Sequence, residues 1–126
     1  MTDVQACAAS IAHWNRMVAF ACTQDEDGAF CALIMREAID EAPNDQYCDL
    51  CRKYISSLQC GECPLKMIEQ CCPGSGSAFE KTMRGASVTW KGFIYRSKRY
   101  MLPALEKALR WAKAQSAKKR KKVKCS

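Results

Sequence analysis

The chain has 126 residues, 20 Lys and Arg against 13 Asp and Glu, a net charge of +7 and ten cysteines. That length fits one compact domain with a modest core. Met1 to Ala8 shows no basic stretch leading into an apolar run, and no segment approaches about 18 uninterrupted apolar residues, so neither a secretory signal nor a spanning helix is expected. The expected setting is therefore a reducing, cytoplasmic one, without a membrane partner.

Charge is unevenly spread along the chain. From Met1 to Asp45 the acids Asp3, Asp25, Glu26, Asp27, Glu37, Asp40, Glu41 and Asp45 face only Arg16 and Arg36. From Glu80 onward only Glu80 and Glu106 oppose a dense set of Lys and Arg. Such asymmetry points to an anionic partner for the C-terminal third.

In chain order, Val4, Cys7, Ala8, Ile11, Trp14, Val18, Ala21 and Cys22 recur at three-and-four spacing, which predicts an amphipathic first helix capped by Thr2 or Asp3. An acidic turn over 24–28 follows. Phe30, Ile34 and Ala38, flanked by Leu33 and Met35, predict a second helix that Pro43 and Asn44 stop, and the two helices can pack as a hairpin.

The central segment carries the most specific signal, the pairs Cys48-Asp49-Leu50-Cys51 and Cys60-Gly61-Glu62-Cys63. A C-x2-C turn brings two sulfurs to one side, and two such turns joined by a short helix can surround one metal ion. Four thiolates fill the tetrahedral sphere of zinc and leave no position for water, so such a site is structural. Cys71 and Cys72 are possible substitute ligands.

Two other chemistries stay open here. An iron-sulfur cluster also takes four cysteines, although the ferredoxin run C-x2-C-x2-C-x3-C-P is missing. A disulfide-linked hairpin, Cys48 with Cys63 and Cys51 with Cys60, suits an oxidising compartment instead. Cys7, Cys22 and Cys31 read as small core residues, and Cys125 as an exposed thiol.

The string Cys48-Asp49-Leu50-Cys51-Arg52-Lys53-Tyr54, then Cys60-Gly61-Glu62-Cys63-Pro64-Leu65, then Cys71 resembles small cysteine-rich bacteriophage-encoded proteins of unassigned function with a C-x-L-C-x-x-Y…C-x-x-C-P-L core. The resemblance covers about a fifth of the chain. It implies phage origin, hence a host cytoplasm, and a metal-binding centre, without implying an activity.

Leu50 to Leu58 reads as a short helix between the pairs, Pro64 to Gln70 as another, and Pro73-Gly74-Ser75-Gly76-Ser77 as a connector. Helix resumes at Ala78, with Gly85 and Gly92 as interruptions. Val88 to Tyr95 has strand-favouring composition, yet Trp90, Ile94, Ser97 and Met101 share a helical face. Pro103 either kinks that helix or opens another, whose apolar face is Leu105, Ala108, Leu109 and Ala112.

The expected fold is mainly α: a single helical domain over residues 1–116 with a central zinc hairpin in a Cys-rich module at 48–72, a basic C-terminal helix, and a basic flexible tail at 117–126. The basic third interleaves Lys91, Arg96, Lys98, Arg99 and Arg110 with Trp90, Phe93, Tyr95, Tyr100 and Trp111, and ends in Lys118, Lys119, Arg120, Lys121, Lys122 and Lys124. Cations neutralise phosphate and aromatics stack on bases, so nucleic acid is the expected partner. The competing reading makes Trp90, Phe93 or Ile94, and Trp111 core anchors behind a solvated charged face.

Catalysis finds no support in the sequence. The single histidine, His13, lies in the first helix beside Trp14, where a surface or core-edge position is expected, and no phosphate loop, nucleophile elbow or deaminase pattern occurs. A small scaffold that binds or inhibits a host or viral protein is the alternative function, and an iron-sulfur redox protein a further one.

Overall fold

A computed structural model of the chain describes residues 2–43, 53, 64, 78–86 and 89–125, with side chains described through 83 and from 89 to 118 in the last two stretches. These residues are helical, with no strand among them: α1 (Asp3–Ala21), α2 (Ala32–Ile39), α3 (Ala78–Ala86), α4 (Trp90–Arg96), a π-helical segment Ser97–Met101, and α5 (Leu102–Cys125). The mainly α expectation holds. The zinc hairpin and all six candidate ligand cysteines, Cys48, Cys51, Cys60, Cys63, Cys71 and Cys72, lie outside the described residues.

α1 starts at a capping box. The Gln5 N–H donates to Thr2 Oγ1 at 3.1 Å and the Thr2 N–H donates to Gln5 Oε1 at 2.9 Å, satisfying two donors that a helix start otherwise leaves open. Asp3 in the first turn adds a favourable charge at the positive end. Ala6, Cys7, Ser10, His13, Trp14, Met17, Val18 and Ala21 form the buried stripe that packs along α5. His13 is only 1% exposed, deeper than the core-edge position expected of it. Cys7 is a core thiol as expected and Cys31 is half-buried, but Cys22 is exposed, because α1 ends at Ala21 and the chain turns there.

The acidic turn has a structural use. Gly28 N–H donates to Asp25 O at 2.9 Å, and the closed turn caps α4: Trp90 N–H donates to Gly28 O at 3.0 Å and Lys91 N–H to Glu26 O at 3.1 Å. A Cβ at Gly28 would stand 3.1 Å from Asp25 O, so a larger residue there would have to push the turn open by a few tenths of an ångström.

α2 departs from expectation in two respects. It stops at Asp40, whose left-handed backbone (φ 54°) lets its N–H donate to Arg36 O, before Pro43 is reached. Its buried residue is Met35, with Ile39 partly covered, whereas Ala38 is exposed and Leu33 and Ile34 are about half exposed.

Six aromatic rings fill the space between α1, α3 and α4. Trp14 and Phe30 stack on Phe93 with centroids 6.0 and 4.7 Å apart, Phe79 meets Trp14 edge-on, and Phe20 and Phe30 meet Trp90 edge-on. Such pairs add about 0.5–1.5 kcal/mol each beyond area burial. Trp90 and Phe93 are thus core anchors, and Trp111 packs against the core from the side. The helical choice for Trp90 to Tyr95 holds, and Gly92 does not interrupt it: its N–H donates to the N-cap Thr89 Oγ1 at 3.0 Å.

Pro103 is the second residue of α5, which follows the π segment without a break in the helical backbone. Its ring would clash with the carbonyl of Arg99 in regular α geometry, and the backbone accommodates it by widening the preceding turn, with Leu102 N–H donating to Ser97 O. α5 then runs with Leu105, Ala108 and Ala112 buried and Leu109 partly so. Where the sequence predicts a flexible tail from residue 117, the helical backbone continues to Cys125.

Candidate nucleic-acid interface

The basic residues divide into four groups by position. Lys91 is exposed, and its backbone N–H binds the acidic turn at the start of α4. Arg96 is half-buried and donates to Lys81 O at 3.3 Å, so its guanidinium ties α4 to α3. Lys98, Arg99, Arg110 and Lys118 are exposed. Lys119, Arg120, Lys121, Lys122 and Lys124 stand on helical backbone, their side chains outside the described residues.

Arg99 is the centre of the one described cluster that joins cations to aromatic rings. Its Nη1 donates to Tyr95 Oη at 2.6 Å, and its Cζ lies 5.8 Å from the Tyr95 centroid and 5.5 Å from the Tyr100 centroid. The Tyr95 hydrogen bond, with Tyr100 and Tyr95 beside it, raises the Arg99 guanidinium above its usual range, so it stays a cation. Lys81 Nζ approaches the Tyr100 ring at 5.8 Å from α3. Lys107 joins from α5 to line a hollow of 260 Å³ together with Lys81, Arg99, Tyr100 and Pro103. Cation–π contact at exposed sites contributes about 0.5–1 kcal/mol.

The sequence singles out Arg99 but leaves Lys81 and Lys107 as undifferentiated charge. Lys107 is recoverable in principle, eight residues beyond Arg99 and two turns along the helix. Lys81 is not, because only tertiary packing of α3 on the π segment brings it in.

A second polar cluster runs from the core to the surface. His13 Nδ1 stands 3.0 Å from Glu41 Oε1, and Arg16 Nε donates to both carboxylate oxygens at 2.9 and 2.7 Å. Burial opposes the charge on Glu41, yet the hydrogen bonds from Arg16 and His13 and their charges outweigh it and lower the carboxyl below its usual 4.5. An ionised Glu41 only accepts, so Nδ1 carries the proton. Nε2 is left buried with no hydrogen-bond partner among the described residues, as is Ser97 Oγ.

Among the described residues no group of three or more His, Cys, Asp or Glu is placed to hold a metal. Lys53 and Pro64 show how the Cys-rich stretch meets the core: Lys53, between the two pairs, donates to Asp3 at 2.6 Å, and Pro64, next to Cys63, is buried. No described helix is long and apolar enough to cross a membrane. The chain matches no protein-family model, no curated protein and no solved structure.

Proposed function

We propose that this protein is a small non-catalytic nucleic-acid-binding protein whose centre is held by a structural zinc on Cys48, Cys51, Cys60 and Cys63. The observation that supports binding is the exposed cationic face of α5 and the π segment. Arg99 lies between Tyr95 and Tyr100, and Lys107, Arg110 and Lys118 follow on α5 within one sector, opposite Leu105, Ala108 and Ala112. Two C-x2-C pairs support zinc, and an iron-sulfur cluster is separated from it by colour and metal analysis. Bacteriophage origin and a host-cytoplasmic location belong to the same proposal and rest on the cysteine string alone.

Electrostatic binding releases counterions, so affinity for a fluorescent DNA or RNA oligonucleotide is expected to fall steeply as salt rises. Neutralising Lys118, Lys119, Arg120, Lys121, Lys122 and Lys124 together should flatten that dependence. No retention on DNA or RNA at low salt rejects the reading. A protein-interaction module is the second reading, favoured by the half-exposed Leu33 and Ile34 on α2.

A further inference from the structure

Three cations from separate elements line one hollow, Lys81 from α3, Arg99 from the π segment and Lys107 from α5, and the first two lie over the Tyr100 ring. None of the three forms an ion pair with a described carboxylate, and the described lining of the hollow holds no acid. Like charges this close repel one another, so the arrangement favours an anion between them. At 260 Å³ the hollow falls below the roughly 300–1,000 Å³ typical of small-molecule sites. It suits one anionic group of a longer ligand better than a whole metabolite.

The π segment adds a second observation. Positions five apart, such as Tyr95 and Tyr100, diverge by about 140° on an α-helix of 3.6 residues per turn. A turn whose N–H reaches five residues back draws such positions together, and both rings meet Arg99. Tyr95 is 57% exposed, with its hydroxyl held by Arg99 and its ring open to solvent. An aromatic face beside a phosphate-sized cationic hollow matches the pairing of backbone and base in an unpaired strand, since duplex bases are stacked on each other and cannot be reached.

We infer that the hollow of Lys81, Arg99, Tyr100 and Lys107 seats a backbone phosphate of single-stranded nucleic acid while the neighbouring base stacks on Tyr95. From there the exposed Arg110 and Lys118 continue the cationic path along α5, Lys107 to Lys118 spanning about 16 Å at 1.5 Å per residue. The inference rests on the nucleic-acid reading and assigns it a strand type and a register.

The test compares a labelled oligo-dT with a duplex of equal length, by anisotropy across a salt series. Lys81→Ala with Lys107→Ala should weaken oligo-dT binding at least tenfold and lower its salt slope by about 0.7, the share of the one phosphate no longer neutralised. Tyr95→Ala should weaken oligo-dT binding about tenfold with the slope and duplex binding unchanged, and Tyr95→Phe should restore it. Circular dichroism checks that these surface variants fold. Wild-type affinity and slope in the double variant overturn the hollow as a phosphate site while leaving nucleic-acid binding standing. Absence of all oligonucleotide binding overturns the broader reading; if inorganic phosphate then still shifts the Tyr100 ring resonances in wild type alone, the site takes free phosphate and the polynucleotide occupant is wrong.

Discussion

Glu41 shows how one side chain can tie two otherwise awkward groups. It accepts from His13, which is buried, and from Arg16, which is 57% exposed. Removing it by Glu41→Ala strands the His13 Nδ1–H, and an unsatisfied buried donor costs about 1–3 kcal/mol. Glu41→Gln keeps an acceptor for His13 and loses only the charge, so it should cost less, about 1 kcal/mol. The pH dependence follows from the lowered carboxyl. A group whose folded pKa lies below its unfolded value contributes stability that is complete above the unfolded value and disappears as pH falls through the folded one. Urea melts from neutral pH downward should therefore show a constant wild-type advantage over Glu41→Gln until pH reaches the usual carboxylate value of about 4.5, and a progressive loss of it below that. An advantage independent of acid would mean that shape, not charge, holds the cluster.

At the scale of elements, the π segment is the least predictable piece and the most consequential. Residues 97–101 read SKRYM, ordinary helix formers, and nothing local asks for a wide turn. The cause is Pro103, two residues downstream, and its effect is to bring Tyr95 and Tyr100, five residues apart, to the same guanidinium. Pro103→Ala removes the clash and restores an N–H for Arg99 O, so the segment should relax toward α geometry. The expected signature is separation of the Tyr100 ring from Tyr95 in NMR, with helical content and the i,i+4 Tyr95–Arg99 contact retained, and weaker oligo-dT binding. Unchanged tyrosine resonances would free Pro103 of that role. By contrast α1 is legible from its spacing and from Thr2, because capping and amphipathic period are local properties. The end of α2 is not, since an Asp in left-handed backbone carries no distinct sequence mark while Pro43 does. The candidate site is half legible: Arg99 stands in a basic run, but which aromatics are core and which are surface depends on helix phase, and that phase shifts at the π turn.

Across the whole molecule, the described core and the proposed metal centre are separate sources of stability. Trp14, Met17, Met35, Phe93, Met101 and Leu105 are all buried to 2% exposure or less, and they come from α1, α2, α4, the π segment and α5. None adjoins a C-x2-C pair in sequence. Structural zinc contributes on the order of 10 kcal/mol where it is the main source of order, and chelators then unfold the domain outright. Here the aromatic core provides an independent source, and among the described residues the Lys53–Asp3 ion pair joins the Cys-rich stretch to α1. Chelation, or Cys51→Ser, should therefore lower the melting temperature and remove helicity in part, while the near-ultraviolet signal of Trp14 and Trp90 persists. Full collapse of that signal would show that the metal organises the core as well. A melting curve unmoved by chelator and by Cys51→Ser would remove zinc from the proposal and leave the cationic face of α5 to stand alone.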